Sequence, residues 1–273
     1  MARRIVLVFH EKATRSGLPH YLIYHLAKVW AESGSEVRIV FGTKRFVPAD
    51  LAILHIDLSV VDESYVEFVS RYPISLNAGV RDIRKTATSG ILLSQHAEYE
   101  GPVIVKSNLN CGGDPERRYL AGHPAGGTRN RDFMRGYKIL RSIEEVPPDV
   151  WADERLVVER FVPEREGDKF YVRHYMFLGD RFTCVRKGSS KPIITVATSS
   201  EDRQVIPVPP EMEEKRKSLG FDYGKFDYVE HDGRPCLLDA NKTMGAVPSL
   251  MNIKAYKESL RNLALGLDHY FDS

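Results

Sequence analysis

The dipeptide Asp232-Gly233 stands between two apolar-rich runs, Phe226-Asp-Tyr-Val-Glu230 and Pro235-Cys-Leu-Leu-Asp239. Asp-Gly adopts the positive φ values of a tight hairpin turn at little cost, so the two runs are predicted to fold back as antiparallel strands. That turn constrains more than local structure. It brings Asp227 and Asp239 to neighbouring strand positions, although they are twelve residues apart. Asn241 follows two residues after Asp239 and shares its strand face. Three hard oxygen donors of this kind suit Mg²⁺, which also takes water and phosphate oxygens. Pro235, inside the return run, points to an edge strand or a bend.

The beginning of the chain has a different pattern. Ile5 to Phe9 is a short run of apolar residues only, as expected of a strand covered on both faces in a parallel sheet. Tyr21, Leu22, Leu26, Val29 and Trp30 recur at helical spacing, and Gly34 is a plausible stop. Val37 to Phe41, Leu51 to Leu54 and Ile74 to Leu76 read as strands, and Asp62 to Arg71 as a helix. The order strand, helix, strand, strand, helix, strand predicts an open Rossmann-like α/β unit. Its first turn, His10 to Gly17, has one glycine and cannot make the GxGxxG dinucleotide fingerprint. No GxxxxGK[ST] phosphate loop occurs either. Glu11, Lys12, Arg15 and His20 read equally well as a ligand-binding loop and as a solvated charged one.

Further on, Gly101 to Lys106 reads as a strand ending in lysine, followed by the glycine-containing stretch Asn110 to Arg131, read as a flap. Phe133 to Ile143 is predicted helical. Leu156 to Pro163 is a strand and its exit. Phe170 to Leu178 is a long aromatic strand turned at Gly179-Asp180 into Arg181 to Arg186. Glu211 to Leu219 and Ile253 to Tyr270 are helical. The second half is thus α+β with antiparallel hairpins.

With 273 residues the chain suits one large or two modest domains, and it can bury a core without disulfide or metal staples. Its 39 Lys+Arg against 37 Asp+Glu argue against a dedicated nucleic-acid surface. Cys111, Cys184 and Cys236 are widely spaced and form no CxxC pair, which predicts reduced thiols and a cytoplasmic protein. The apolar run after Arg4 is too short for a signal peptide, and no stretch reaches the roughly 20 apolar residues of a membrane span. The histidines are read as structural, with His174 and His231 turned to the other strand face.

Three separated features carry chemistry. Lys106 and the glycine-containing loop after it offer a point charge and backbone N–H groups, as a polyphosphate requires. Glu159-Arg160-Phe161-Val162 leaves an apolar strand with an acidic side chain beside exposed backbone, an arrangement able to read an adenine edge. Asp227, Asp239 and Asn241 form the third. Each feature alone has an ordinary explanation: a solvated strand end, an edge charge, a turn pair. Their serial order and spacing are harder to obtain by chance.

From about Lys85 to Val247 the chain resembles the ATP-grasp superfamily, in which an acidic residue and then E-x-N after a hairpin hold two Mg²⁺ ions. The stretch from Phe226 to Gly245 fits that signature, with Asp239 in place of the commoner Glu. The resemblance implies a pre-ATP-grasp α/β domain over residues 1–84 and an ATP-grasp fold of two α+β subdomains over 85–273. A lysine and flap subdomain would span 85–158, and a hinge and metal-binding subdomain 159–273. It implies ATP and Mg²⁺ as cofactors. Lys85 and Lys106 would bind the α- and β-phosphates, and Glu159, Arg160, Phe161 and Val162 would form the adenine hinge. Glu164, Glu166 or Asp168 would hold the ribose, with Glu166 as the choice. Arg173 and Arg186 would stabilise the transferring phosphate or acyl phosphate, and Asp227, Asp239 and Asn241 would bind metal.

The activity so implied is an ADP-forming ligase that activates a small-molecule or peptide carboxylate for attack by an amine or similar nucleophile. The rivals are a kinase acting on a hydroxyl and a non-catalytic nucleotide-binding protein. A homodimer fits the resemblance; membrane binding does not. Nucleic-acid binding through Arg117, Arg118, Arg129 and Arg131 is the weakest reading.

Overall fold

The computed structural model describes residues 2–120, 136–194, 202–247, 250 and 252–271. Its first strands are β1 (Arg4–Phe9), β2 (Glu36–Phe41), β3 (Leu51–His55) and β4 (Ile74–Leu76). They form one parallel sheet in the order β2-β1-β3-β4. The apolar run of β1 is buried on both faces, and its alternation divides two cores. Ile5, Leu7 and Phe9 pack with helix α1 (Leu22–Glu32), and Val6 and Val8 pack with helix α2 (Glu63–Val69). Gly34 follows α1 at φ 91°, the left-handed stop expected of it. Asp62 caps α2 by accepting from the Ser64 N–H at 3.0 Å.

The next sheet is small. Antiparallel strands β5 (Val103–Ser107), β6 (Lys138–Leu140) and β7 (Leu156–Arg160) lie in the order β6-β5-β7. Short helices α3 (Lys85–Thr88), α4 (Asp114–Tyr119) and α5 (Pro148–Trp151) flank it in sequence. Two expectations change here. The helix predicted over Phe133 to Ile143 is, in its described part, the edge strand β6 and a 3₁₀ turn at Ile143–Glu145. Pairing with β5 supplies the backbone partners that a helix would have found internally. The flap predicted from Asn110 to Arg131 begins as packed structure. Pro115 in the first turn of α4 suits a helix start, and Glu116 and Tyr119 are buried. Residues 121–135 of that flap lie outside the described residues.

The largest sheet holds β8 (Glu164–Glu166), β9 (Lys169–Leu178), β10 (Arg181–Ser189), β11 (Arg203–Val205), β12 (Tyr223–His231) and β13 (Arg234–Asn241). Its order is β11-β10-β9-β12-β13, with β8 paired to β9. The turn between β12 and β13 has Asp232 at φ 50° and Gly233 at φ 71°, as the Asp-Gly hairpin requires. Pro235 falls on β13, an edge strand, where a missing N–H costs little. One face of this sheet packs Tyr175, Phe177, Phe226 and Tyr228 into a core shared with Met212 of helix α6 (Pro210–Ser218).

The last helix, α7 (Lys254–Ala264), returns to the start of the chain. Leu263 and Ala264 lie in the β1–α1 core, and the Trp30 indole donates to the Ala264 carbonyl at 2.9 Å. Asn77, fully buried at φ 60°, ties the first sheet to the largest. Its Oδ1 accepts from the Asp222 and Tyr223 N–H groups and its Nδ2 donates to the Tyr223 carbonyl. Among the described residues no helix is long and apolar enough to cross a membrane.

His55, at the end of β3, sits between Phe9 and Tyr21 with ring centroids at 4.7 and 5.0 Å, and among the described residues neither ring nitrogen has a hydrogen-bond partner. Burial pushes its pKa down from 6.5 to about 4, so the folded protein holds this ring neutral. Between those values the unfolded chain binds the extra proton, and stability falls as pH drops. The loss should approach about 3 kcal/mol by the low end of that window. Urea denaturation at pH 7.5 and pH 4.5 checks it, and His55→Leu should flatten that part of the pH dependence.

Candidate functional site

The small sheet and the largest sheet face each other across a cavity. From the small sheet come Lys106 and Glu159; from the largest come His174, Asp227 and Asp239; Lys85, from α3, also lines it. The connection from β7 to β8, Phe161 to Pro163, forms one wall.

Lys106 is brought to the cavity by the β5–β7 ladder, in which Ile104 stands opposite Glu159. Strand parity puts Ile104, Lys106 and Glu159 on one face. The Lys106 ammonium lies 2.5 Å from Glu159 Oε2 and donates to the Leu238 carbonyl at 3.1 Å. That carbonyl is available because the β12–β13 register slips by one residue after Asp227, leaving Leu238 as the extra residue of a bulge. Bulges re-aim groups beside functional sites, and here the re-aimed group crosses to the other sheet.

Lys85 opens α3, and the start of that short helix is held by Asn108. The Asn108 carbonyl accepts the Lys85 N–H and its Oδ1 accepts the Thr86 N–H, both at 3.1 Å. The Lys85 ammonium then reaches Asp239 Oδ1 at 3.1 Å. Burial alone would lower the Lys85 pKa, but the Asp239 carboxylate outweighs it and the ammonium is favoured.

The wall segment is fixed by two backbone bonds, Arg160 N–H to the Ile91 carbonyl and Phe161 N–H to the Pro102 carbonyl, both 2.9 Å. Val162 packs with Ile91 and Val229, and its N–H has no partner among the described residues. An apolar wall with an open backbone donor suits a flat heteroaromatic ring.

Asp227 and Asp239 stand directly opposite each other in the β12–β13 ladder, as the Asp-Gly turn demands. Asp227 is also opposite His174 of β9, whose Nδ1 lies 2.5 Å from Asp227 Oδ1. Lys225, two residues before Asp227 on the same face, places its ammonium 2.9 Å from Oδ2. Burial would raise the Asp227 pKa, yet the Lys225 charge and the His174 hydrogen bond hold the carboxyl well below its ordinary range. Asn241 Oδ1 accepts from the Thr243 N–H at 2.7 Å, and Thr243 Oγ1 donates on to Asp57 at 2.8 Å. Two carboxylates and a carboxamide suit Mg²⁺ in kind, though both oxygens of Asp227 are taken by His174 and Lys225. Asp239 is the more open of the two acids, since one of its oxygens meets Lys85 and, among the described residues, no hydrogen bond reaches the other.

Several predicted site residues lie elsewhere. Arg173 and Arg186 are paired across β9 and β10 on the face opposite His174 and Asp227, and neither lines the cavity. Both guanidinium groups are drawn to the buried Glu164 carboxylate, at 2.9 and 2.6 Å. The role of stabilising a transferring phosphate would need them in the cavity; in this structure they clamp Glu164 instead. Glu166 is exposed, bonded to Arg186 at 2.8 Å, and off the cavity lining. Glu164 does line it, but its oxygens already accept from two arginines and from the Glu230 N–H. Of the flap arginines, Arg117 turns back on the Gly112 carbonyl at 2.9 Å and Arg118 pairs with Asp57 at 3.2 Å. Arg129 and Arg131 fall outside the described residues. Cys184 is buried as expected, but Cys111 is exposed.

The sequence reading also missed members of the site. His174 was assigned to the wrong face, because only the β9–β12 register reveals that it meets Asp227. Lys225 carried a usable signal, since residues two apart on a strand share a face. Lys187, opposite Val172 on the cavity face, follows from the β9–β10 hairpin register. Tyr137 lines the cavity and also an adjoining one that shares Lys85 and Asp239 with it and extends to Arg117 and Cys111.

No family model matches the sequence, and no curated protein matches it. Solved structures do match over the whole length. A RiPP-associated ATP-grasp ligase from Chryseobacterium gregarium, in complex with ADP and a leader and core peptide, is 10% identical with a TM-score of 0.59. That match covers 98% of this chain and 97% of the other. The ATP-grasp ligase PsnB complexed with minimal precursor is 12% identical with a TM-score of 0.57, over 98% and 99% of the two chains. A RimK domain ATP-grasp protein from Sphaerobacter thermophilus is 14% identical with a TM-score of 0.52, over 97% and 99%.

The Lys106–Glu159 pair is almost wholly desolvated, with side chains 6% and 0% exposed. Removing one partner leaves an uncompensated buried charge, which costs about 3–5 kcal/mol. Glu159→Leu alone should therefore destabilise strongly in urea denaturation. The double variant Lys106→Met/Glu159→Leu should recover most of that loss.

Proposed function

With the ATP-grasp fold as premise, we propose that this chain is an ATP- and Mg²⁺-dependent ligase. It would activate a carboxylate as an acyl phosphate for attack by an amine or similar nucleophile. One observation carries the reading: two lysines and two aspartates, drawn from different elements, converge on one cavity whose wall is apolar with an open backbone donor. Phosphates, metal and a purine need those three environments, side by side. The similar structures, ATP-grasp ligases, support ATP-dependent ligation in general.

In this reading Lys85 and Lys106 hold phosphate oxygens, and both are preset by protein carboxylates so that little reorganisation is needed on binding. Arg160, Phe161 and Val162 form the hinge against the base, and Glu159 fixes Lys106 beside it. Asp227, Asp239 and Asn241 are the proposed oxygen donors to Mg²⁺, which when bound neutralises charge on the β- and γ-phosphates. A substrate carboxylate oxygen attacks the γ-phosphorus and ADP leaves. The nucleophile then attacks the acyl carbon, and inorganic phosphate leaves with the bonding pair of the C–O bond. No side chain of this chain becomes covalently modified, in keeping with a catalyst that works by positioning and electrostatics.

The adjoining cavity, lined by Ser107, Cys111, Arg117 and Tyr137, opens where a γ-phosphate beside Lys85 and Asp239 would point. It is the proposed place for the carboxylate substrate, a small molecule or a peptide. Residues 1–84 are assigned as the pre-grasp unit and 85–273 as the grasp. The closing helix α7 packs back on the first sheet and joins the two.

ADP release should be measured across amino acids, small carboxylates and peptides, with Asp239→Ala as the blank. A true substrate should give turnover that falls at least a hundredfold in the variant. Hydroxylamine added to the reaction should yield a hydroxamate. ATP turnover without hydroxamate would favour phosphorylation of a hydroxyl instead.

A further inference from the structure

The first of the acidic residues proposed to hold divalent cations is already fully engaged by the protein. Asp227 Oδ1 meets His174 Nδ1 at 2.5 Å, and Oδ2 meets the Lys225 ammonium at 2.9 Å. Lys225 is not a distant surface charge that happens to reach inward. Its ladder partner on β13 is Asn241, and Asp227 has Asp239 as partner, so four residues of the proposed metal patch form two adjacent cross-strand pairs. All four share one sheet face. The lysine side chain is 26% exposed and the carboxylate 22%, so the pair is only weakly screened by water.

The second acidic residue differs. Asp239 gives Oδ1 to Lys85, and among the described residues no hydrogen bond reaches Oδ2. Asn241 Oδ1 accepts from the Thr243 N–H at 2.7 Å; the Thr243 hydroxyl, 3.3 Å away, gives its one proton to Asp57 at 2.8 Å, so the oxygen keeps a lone pair. One half of the patch therefore presents oxygen to a hard cation, and the other half holds an organic cation. The same face carries Lys187, and Lys85 comes from α3, so a second dication would meet positive charge on several sides. To reach both oxygens of Asp227 it would have to displace Lys225 into solvent.

We propose that the Lys225 ammonium stands in for one of the two divalent cations, so that the chain takes its nucleotide with a single Mg²⁺ on the Asp239 and Asn241 side. This rests on the nucleotide-binding reading above and narrows its metal set, taking Asp227 out of the Mg²⁺ donors and leaving Asp239 and Asn241. The point charge of a lysine can neutralise one phosphate oxygen or one carboxylate, though it cannot bridge ligands as a metal does. Asp227 then serves as a positioning residue: with His174 on its other oxygen, it fixes where the ammonium sits.

The test counts ions rather than turnover. The full chain is saturated with a non-hydrolysable ATP analogue and titrated with Mn²⁺, and protein-bound Mn²⁺ is quantified by electron paramagnetic resonance after ultrafiltration. The expected result is one Mn²⁺ per nucleotide-loaded chain, without the spin–spin broadening of a close pair. Lys225→Ala should bind two and show that broadening, while Lys225→Arg should stay at one. Two ions in the wild-type chain would overturn the proposal whatever the variants do, so it remains testable even if Lys225→Ala does not fold. One ion in both wild type and Lys225→Ala would also overturn it, because the count would then be set by something other than this lysine. Failure of the wild type to retain the analogue at all, in the presence of Mn²⁺, would instead defeat the nucleotide-binding reading on which the proposal rests.

Discussion

The site depends on a cation of one sheet satisfied by the backbone and the acid of two. Lys106 rises from β5, pairs with Glu159 of the neighbouring strand, and donates to the Leu238 carbonyl across the cavity. An ammonium this deeply buried is tolerated only when its charge and its donors are met. Those partners belong to separate sheets, so the requirement also sets how the sheets stand to each other. The bulge at Leu238 is part of that solution, because a regular ladder would have kept its carbonyl for the adjacent strand.

The electrostatics of the cavity are those of a site arranged in advance. Lys85 is held by Asp239, Lys225 by Asp227, and Lys106 by Glu159. Each lysine is placed by a carboxylate of the protein, so an incoming polyanion would find cations already oriented and partly desolvated. Preorganised charge of this kind acts without reorganisation at the moment of reaction. The arginines do a different task. Arg173 and Arg186 close on Glu164 at the far face, where they brace β8 against β9 and β10.

Much of this was legible before any coordinates. The all-apolar run at Ile5 to Phe9 became a strand buried on both faces, a placement that removes all five apolar side chains from water. The Asp232-Gly233 turn set the hairpin, and strand period two then set Asp227 against Asp239. Local rules failed where the deciding partner was distant. Residues 138–140 became a strand because β5 offered an open edge, which no helical periodicity could report. The resemblance implies Arg173 and Arg186 at the site, but parity within β9 and β10 puts them on the other face. His174 was lost by the converse mistake.

The sequence by itself determined the chemical inventory of this protein and its local geometry: two acidic residues made neighbours by one turn, an amide two positions on, and a lysine at the end of a strand. Those facts are short-range, since turn chemistry and strand period act within a few residues. Tertiary structure alone decided which charges meet. Lys85 with Asp239 and Lys106 with Glu159 and Leu238 join segments brought together by sheet packing, and the bulge that aims Leu238 appears only once β12 and β13 are paired. Whether Asp227 is left open or closed by His174 and Lys225 is likewise a matter of register between β9 and β12, which hydrophobic burial of the opposite face fixes.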